Sequence, residues 1–209
     1  MARPRSAGYD EQREMILARA AHLFARGGYP GTSMNQVAEA CGLSKATLYH
    51  YYKDKYSLLV SIADSHVAVL EQLVGEVQAL QLAPEAQMRE LIRRILQEYA
   101  GAQDAHRVLT EDVRFLEPED RERVLGRERA VVAGFARALG QVQPQLQQAL
   151  LTTPLTMLLF GMINWMFTWM KPDGGLSYER MAGIVADLFM GGIVAVKPLD
   201  LAAPPGSTP

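Results

Sequence analysis

Apolar side chains along this 209-residue chain recur mostly every three or four positions, which is the period of an amphipathic helix. Almost no stretch alternates apolar and polar residues as a half-buried strand does. In the first helical segment, residues 10–29, the apolar stripe ends at Gly27 and Gly28, a pair typical of a helix C-terminus. The pattern therefore predicts an all-α fold of about nine helices.

Two short helices are predicted directly after the first, and their ends are marked by capping residues. Thr32 or Ser33 can cap the first of them, Gln36 completes a capping box with Ser33, and Gly42 stops the helix. Ser44 then caps the second short helix. Two short helices separated by a turn that contains glycine are typical of a helix-turn-helix.

Two later segments differ sharply in their charge. The charged stretch 117–139 is typical of a solvated helix with one buried seam, for which we expect Leu125, Val132 and Phe135. Residues 138–170 carry no charge and are long enough to suggest a membrane-spanning helix. Several threonines, an asparagine and a proline interrupt their apolar character, so a buried or interface helix is the favoured interpretation.

The net charge of −2 conceals a difference between the two parts of the chain. Residues 1–55 contain eight Lys or Arg and five Asp or Glu, so they carry +3 and the remaining residues carry −5. A basic N-terminal module attached to an acidic body suggests an anionic partner for that module alone.

The composition also excludes several classes of protein. Cys41 is the single cysteine, which excludes a disulfide framework and a multi-thiolate metal site. No nucleophile elbow, phosphate-binding glycine loop or HExxH motif is present, so we expect neither an enzyme nor a metal or cofactor site. The N-terminus lacks the apolar run of a signal peptide, which leads us to expect a cytoplasmic protein.

The second short helix carries a high density of hydrogen-bond donors. Gly42 permits the sharp turn before it, because glycine adopts positive φ without a Cβ clash. The apolar residues that must anchor this corner from beneath are Val37, Ala38, Leu43 and Leu48. The side chains expected to project outward are those of Lys45, Thr47, Tyr49 and His50. Lys, Thr and Tyr contact phosphates and base edges, so this face is a candidate DNA-reading surface.

The stretch GTSMNQVAEACGLSKATLYHYYKDKYSLL closely resembles the DNA-binding signature of the TetR family of transcriptional repressors. The resemblance implies that Thr32 and Ser33 contact the DNA backbone ahead of the reading helix and that Lys55 contacts a phosphate. It implies further that Lys45 and Ala46 approach base edges. The complete DNA-contacting set implied in this way is Thr32, Ser33, Ser44, Lys45, Ala46, Thr47, Tyr49, His50 and Lys55.

Pattern and resemblance together predict a small N-terminal module on a larger helical bundle. The expected regions are a helix-turn-helix DNA-binding domain at 1–55, a ligand-binding and dimerisation domain at 56–198 and a disordered tail at 199–209. TetR-like proteins form homodimers through their last two helices, and a two-fold dimer reads a palindromic operator. In the last helix, Gly191 and Gly192 permit close approach, and Ile184 and Leu188 would bury apolar area. A core helix within one chain is the alternative interpretation.

The bundle is expected to enclose an effector chamber, because aromatic residues crowd the uncharged stretch. The candidate ligand-binding residues are Tyr99, Phe160, Asn164, Trp165 and Trp169. Aromatic side chains form adaptable apolar walls, although at helical spacing they are more often ordinary core residues. Asn164 is the most informative of them, since a buried amide must find hydrogen-bond partners.

Residues 161–193 are similar to C-terminal segments of a TetR subgroup that responds to acyl-CoA thioesters. This similarity implies a ligand-responsive repressor that a small hydrophobic effector, such as an acyl-CoA, releases from its operator. The mid-chain arginines could hold the phosphates of such an effector, with solvated ion pairs as the alternative. A multidrug sensor that binds lipophilic cations is the second interpretation, for which Glu98 or Glu111 would supply the carboxylate.

Overall fold

The computed structural model describes residues 7–170 and 174–197. Across these residues the chain forms ten α-helices and no strand, which confirms the all-α fold. The helices are α1 (Ala7–Gly27), α2 (Met34–Ala40), α3 (Lys45–Tyr51), α4 (Lys55–Ala79), α5 (Pro84–Gly101), α6 (Gln103–Asp112), α7 (Pro118–Val142), α8 (Pro144–Gln148), α9 (Thr152–Asn164) and α10 (Tyr178–Ile193). Two short 3₁₀ helices, Val113–Phe115 and Met166–Thr168, follow α6 and α9.

The ends of the two short helices follow from their capping residues. Ser33 caps α2: its hydroxyl accepts a hydrogen bond from the Gln36 amide, and the Gln36 side-chain oxygen accepts one from the Ser33 amide at 2.8 Å. Gly42 has a φ of +64°, the left-handed conformation that favours glycine. Ser44 caps α3 by accepting a hydrogen bond from the Thr47 amide at 3.1 Å. The predicted capping box and glycine turn are confirmed.

Helix α7 buries a face that differs by one residue from the predicted seam. Val124 and Val131 are buried, whereas Leu125 and Val132 are only half-buried. Val132 still packs against the core of the second unit, so the wrong assignment is that of Leu125. Phe135 is buried as predicted. A shift of one residue rotates the buried face of a helix by about 100°. Both residues of each neighbouring pair are apolar, so the sequence pattern does not distinguish them. Packing within the fold determines which residue of each pair is buried.

The uncharged stretch does not form one long helix. Pro144 starts the short α8, and α9 has 13 residues, fewer than the roughly 20 that a membrane span requires. Among the described residues, α4 alone has the length and hydropathy of a membrane-crossing helix. Half of its most apolar window is buried inside the protein, as in an ordinary core helix.

The chain divides into two compact units, and each has its own apolar core. The first unit comprises residues up to 69 and 101–127, and the second comprises 70–100 and the residues from 128 onward. Helices α4 and α7 contribute residues to both units. The predicted domain boundaries after residues 55 and 198 stay predictions. The predicted disordered tail at 199–209 lies outside the described residues.

Candidate functional site

Helix α3 is anchored on its inner side by the core of the first unit. Leu48 is fully buried, and Val37 of α2 and Phe24 of α1 are buried in the same core. Leu43, in the turn before α3, is half-buried against it. Because this face of α3 is occupied by packing, its remaining side chains are left on the outside.

The outer face of α3 is exposed and carries polar groups. The exposed members of the predicted DNA-contacting set on or next to α3 are Ser44, Lys45, Ala46, Thr47, Tyr49 and His50. The Lys45 ammonium lies 5.9 Å from the centre of the Tyr49 ring, within the range of a cation–π contact. The hydroxyls of Ser44 and Thr47 are 2.8 Å apart. This surface can present a cation, hydroxyls and an imidazole to the floor and walls of a major groove.

Aromatic contacts hold the C-terminal end of α3. Tyr51 stacks on Tyr9 of α1 with the ring centres 4.8 Å apart. Tyr52 is buried, and its hydroxyl oxygen accepts a hydrogen bond from Arg13 Nε at 3.0 Å. Burial raises the pKa of the Tyr52 phenol, which keeps that group neutral. Contacts with α1 therefore fix the end of α3.

Thr32 and Ser33 are adjacent in sequence but lie in different environments. Thr32 is buried, with its hydroxyl 3.0 Å from the Gly28 carbonyl oxygen and 3.3 Å from that of Leu23. Ser33 is exposed at the start of α2. The Thr32 side chain fastens the loop between α1 and α2 from inside, so the geometry favours a structural role for it. Its predicted contact with DNA stays a prediction.

Lys55 also makes contacts within the protein that the resemblance did not include. Its Nζ donates to the Tyr29 carbonyl oxygen at 2.7 Å and to that of Pro30 at 3.2 Å. The ammonium also lies 4.4 Å from the centre of the Tyr29 ring. An ammonium has three N–H donors, so these two bonds leave one for another acceptor. The predicted phosphate contact of Lys55 would have to use it.

In the second unit, three of the five predicted effector residues belong to the interior. Tyr99 of α5 is buried, and its hydroxyl donates to Oδ1 of the half-buried Asn164 of α9 at 3.0 Å. Phe160, one turn before Asn164, is buried with its ring centre 5.0 Å from that of Phe135. Burial raises the pKa of the Tyr99 phenol, and the nearby Glu128 carboxylate adds to this effect.

Sequence reasoning missed two further polar residues of the second unit. Thr156 of α9 is fully buried, and its hydroxyl has no hydrogen-bond partner among the described residues. Glu128 of α7 is half-buried, and burial raises the pKa of its carboxyl group. Thr156 could have been found, because it precedes Phe160 by one helical turn on the same stripe. Glu128 lies in a run of charged residues, where the pattern gives no reason to select it.

The two tryptophans lie on the surface, apart from the buried Tyr99. Trp165 is 65% exposed and Trp169 is 53% exposed. The other large apolar side chains exposed on α9 and α10 are Met157, Leu158, Ile184 and Leu188. The aromatic run that suggested one chamber wall is therefore divided between the interior and an exposed apolar surface.

The carboxylates considered for binding a cation differ in their environment. Glu98 is half-buried, and burial raises the pKa of its carboxyl group. Glu111 is exposed and pairs with Arg107 at 3.1 Å. Only Glu98 of these two thus has the desolvated character that recognition of a lipophilic cation requires.

Several mid-chain arginines form ion pairs on the surface of α5. Glu90 accepts hydrogen bonds from Arg93 at 2.5 Å and from Arg94 at 2.8 Å. These hydrogen bonds lower the pKa of Glu90 to about 2, and the bond from Arg93 has the largest effect. For these two arginines the alternative of solvated ion pairs is the one observed.

Comparison with known families matches both parts of the chain. Residues 16–62, which include α2 and α3, match the family described as bacterial regulatory proteins, tetR family. Residues 81–193 match the family described as tetracyclin repressor-like, C-terminal domain. The chain belongs to the TetR family. The match at residues 16–62 covers the whole predicted DNA-contacting set.

Solved structures of TetR regulators resemble this chain over most of its length. A TetR-family transcriptional regulator from Bordetella parapertussis shares 33% identity with a TM-score of 0.82, covering 88% of this chain and 97% of that one. AibR in complex with isovaleryl coenzyme A and operator DNA shares 28% identity with a TM-score of 0.73, covering 85% of this chain and 97% of that one.

Curated relatives in the same family match over shorter regions. The regulator AcrR of Shigella flexneri is 30% identical over 112 residues, or 53% of this chain and 52% of AcrR. The regulator YerO of Bacillus subtilis is 32% identical over 60 residues, or 29% of this chain and 21% of YerO. The chain thus spans between about a fifth and about half of the length of these relatives.

Proposed function

We propose that this chain is a ligand-responsive transcriptional repressor that binds a palindromic operator as a homodimer in the cytoplasm. The observation that carries the proposal is the division of α3 into two faces: Leu48 is fully buried, while Lys45 and Tyr49 are exposed. A recognition helix requires this division, because one face must be held by the protein while the other enters the major groove.

The proposed DNA contacts come from the start of α2, from α3 and from the start of α4. They involve Ser33, Ser44, Lys45, Ala46, Thr47, Tyr49 and His50, all of which are exposed. Lys45 at the start of α3 is suited to phosphate or guanine contacts, and the Ala46 methyl group is suited to the methyl group of thymine. Lys55 contributes its remaining N–H to a phosphate, and Thr32 acts by holding the loop between α1 and α2.

The exposed apolar surface of α9 and α10 supports the homodimer. Leu158 is 66% exposed and Leu188 is 63% exposed, and Ile184 lies one turn from Leu188 on the same helix. An apolar patch on a water-soluble regulator is stabilised by a partner that covers it. A second copy related by a two-fold axis would cover it and would also supply the second recognition helix that a palindrome needs.

The proposed effector is a small hydrophobic molecule such as an acyl-CoA thioester. Tyr99, Phe160 and Asn164 supply an apolar interior with a few polar atoms, which is typical of small-molecule sites. The similarity to AibR, whose structure contains isovaleryl coenzyme A, supports this class. Such an effector releases DNA only if it binds the DNA-free conformation more tightly than the DNA-bound one.

A lipophilic cation is the second candidate effector. Two half-buried carboxyl groups of the second unit, those of Glu98 and Glu128, have raised pKa values because of burial. A cation that bound beside either group would compensate for the desolvation of the carboxylate. Trp165 and Trp169 are exposed, and we assign them to the apolar surface of the dimer in preference to the effector site.

The decisive experiment is selection of DNA by the purified chain from a random duplex pool. We expect enrichment of a palindrome, a gel shift with the enriched DNA, and release by isovaleryl-CoA but not by the cationic dye rhodamine 6G. Release by the dye alone would favour the multidrug function. Failure to enrich any sequence would contradict the repressor function.

A further inference from the structure

A single phenol joins the start of α4 to the start of α7. Tyr56, the second residue of α4, donates a hydrogen bond from its Oη to Oδ2 of Asp120 at 2.7 Å. The same oxygen accepts a hydrogen bond from the backbone N–H of Glu117 at 2.9 Å. All three residues belong to the first unit. The hydroxyl thus uses its donor and an acceptor position between the two helices.

The Tyr56 phenol contacts the first turn of α7 at a carboxylate that α7 itself stabilises. Helix α7 begins at Pro118, and Asp120 places a carboxylate in its first turn, where the helix dipole favours negative charge. Oδ1 of Asp120 also accepts a hydrogen bond from Arg123 Nη1 at 2.5 Å. Contacts within α7 therefore orient the Asp120 side chain independently of its hydrogen bond with Tyr56.

Two ion-pair contacts between α4 and this part of α7 are longer. Asp64 Oδ1 lies 3.5 Å from Arg123 Nε and 3.5 Å from Arg127 Nε. Exposed ion pairs of this length contribute little, typically less than about 1 kcal/mol. Of these polar contacts, the two hydrogen bonds of Tyr56 therefore best define how the two helix starts are placed.

The first turn of α4 is coupled closely to the reading helix. Only Tyr52, Lys53 and Asp54 separate α3 from α4, and Tyr52 is buried. Asp54 caps α4 by accepting a hydrogen bond from the Ser57 amide at 2.7 Å. A connection this short, with the side chains of Tyr52 and Asp54 held, transmits the direction of the first turn of α4 to α3.

The Tyr56 hydroxyl keeps its hydrogen throughout the neutral pH range. Desolvation and then the hydrogen bond to Asp120 raise the pKa of the Tyr56 phenol to about 12. The hydrogen bonds from Tyr56 and Arg123 lower the pKa of Asp120, so that group stays an ionised acceptor. The bond therefore joins a neutral donor to a charged acceptor, which is among the stronger kinds of hydrogen bond.

We propose that Tyr56 is a positioning residue for operator binding: its hydroxyl, held between Asp120 and the Glu117 amide, sets the direction of α3. The inference rests on the proposed function, since it concerns how α3 reads DNA.

The direct test is Tyr56→Phe, which keeps the ring and removes both hydrogen bonds. DNA enriched by the wild-type chain should bind this variant about tenfold more weakly, the effect expected for loss of a hydrogen bond to a charged carboxylate. Random-sequence duplex at low salt should bind within about twofold of wild type, because phosphate contacts do not require one helix direction.

The matched control removes another part-buried side-chain contact between two helices of the first unit. Asp104→Ala removes the contact between His22 Nδ1 and Asp104 Oδ2, whose atoms are 2.9 Å apart. We expect both DNA affinities of this variant to stay within about twofold of wild type, because the pair is only part-buried and distant in sequence from α3 and α7.

A pair of substitutions at Asp120 separates positioning from a general loss of stability. Asp120→Asn keeps a carbonyl oxygen that can accept the Tyr56 hydrogen, so it should largely retain binding to the enriched DNA. Asp120→Ala removes that acceptor and should weaken binding as much as Tyr56→Phe does. Equal losses in Asp120→Asn and Asp120→Ala would assign the effect to the charge and contradict the positioning role.

Amide hydrogen exchange tests the inference without DNA. In Tyr56→Phe we expect faster exchange across residues 45–60 and unchanged exchange in the buried part of α1. If the amides of residues 45–60 exchanged in the variant at the same rates as in the wild type, the inference would be overturned, whatever the DNA results. If the wild-type chain enriches no DNA sequence, the proposed function fails, and the exchange measurement alone decides whether Tyr56 positions α3.

Discussion

At the scale of single residues, the pH dependence of stability should depend strongly on one buried histidine pair. His66 of α4 and His106 of α6 are buried, with Nε2 of the first 3.4 Å from Nδ1 of the second. Burial lowers the pKa of His66 to about 4 from an ordinary value of 6.5. Between these pH values the unfolded chain binds a proton that the folded chain does not, so stability falls as the pH drops through this range.

Replacing His66 with glutamine should remove this part of the pH dependence. Between pH 7 and pH 4, the wild-type free energy of unfolding should fall by on the order of 3 kcal/mol more than that of His66→Gln. Urea unfolding at a series of pH values measures both slopes. The control His50→Gln, on the exposed face of α3, should follow the wild type. Parallel curves for wild type and His66→Gln would contradict the assignment.

Residue roles could be predicted where they depend on neighbours in sequence. The caps at Ser33 and Ser44 need partners only three residues away, and the structure contains both. Lys55 instead binds carbonyl groups 25 and 26 residues earlier, which no local pattern indicates. The hydrogen bond between Tyr99 and Asn164 spans 65 residues, so the sequence could identify its members as candidates but could not pair them.

At the scale of secondary-structure elements, the turn between α2 and α3 depends on the conformation of Gly42. Its φ is +64°, and a Cβ built there would meet no atom within 4 Å. Gly42→Ala should therefore destabilise the fold by about 1–2 kcal/mol through backbone strain alone. Gly75→Ala is the matched control, because Gly75 is exposed within α4 and also has open space around it.

The two glycine variants should change the free energy of unfolding in opposite directions, as measured in the same thermal or urea unfolding experiment. Alanine in the middle of an exposed helix is favoured over glycine by roughly 0.5–1 kcal/mol, so Gly75→Ala should stabilise the protein. Gly42→Ala should also weaken binding to the enriched DNA, because a strained turn changes the angle between α2 and α3. A Gly42→Ala protein as stable as the wild type would show that the turn has another accessible conformation.

Element type was predictable, but the buried face of each element was not always so. In α7, apolar residues at adjacent positions allowed two seams, and the fold buries Val124 and Val131 in preference to their neighbours. In α9 both sides of the helix are apolar: Phe160 is buried and Leu158 is exposed. Periodicity determines that a helix has faces, whereas contacts between distant segments determine which face is covered.

At the scale of the whole molecule, the spacing of apolar residues predicted the helical fold but could not distinguish a core from an interface. Both kinds of surface consist of the same residue types, so Phe160 and Trp165 looked equivalent in sequence. Burial separates them, since Phe160 belongs to the core of the second unit and Trp165 is 65% exposed. The exposed apolar surface of α9 and α10 is thus information that only the folded chain provides.

The proposed homodimer can be tested by placing a charge on that surface. Leu188 is 63% exposed, so Leu188→Glu should leave the fold of one chain intact, as measured by circular dichroism and thermal unfolding. In the proposed dimer, however, the new carboxylates would be desolvated, and sedimentation should shift from dimer to monomer. Leu80→Glu, a change at a leucine that is 50% exposed just after α4, should remain dimeric.

Loss of the dimer should carry through to DNA binding in a defined way. Two linked recognition helices bind a palindrome more tightly than one by a factor of about 10²–10⁴, because the second contact is effectively intramolecular. Leu188→Glu should therefore lose about a hundredfold or more in affinity for the full palindrome while changing little on an isolated half-site. If Leu188→Glu stayed dimeric with full affinity, the surface of α10 could not be the interface. The exposed side chains of α9, Leu158 first among them, would then be the next to test.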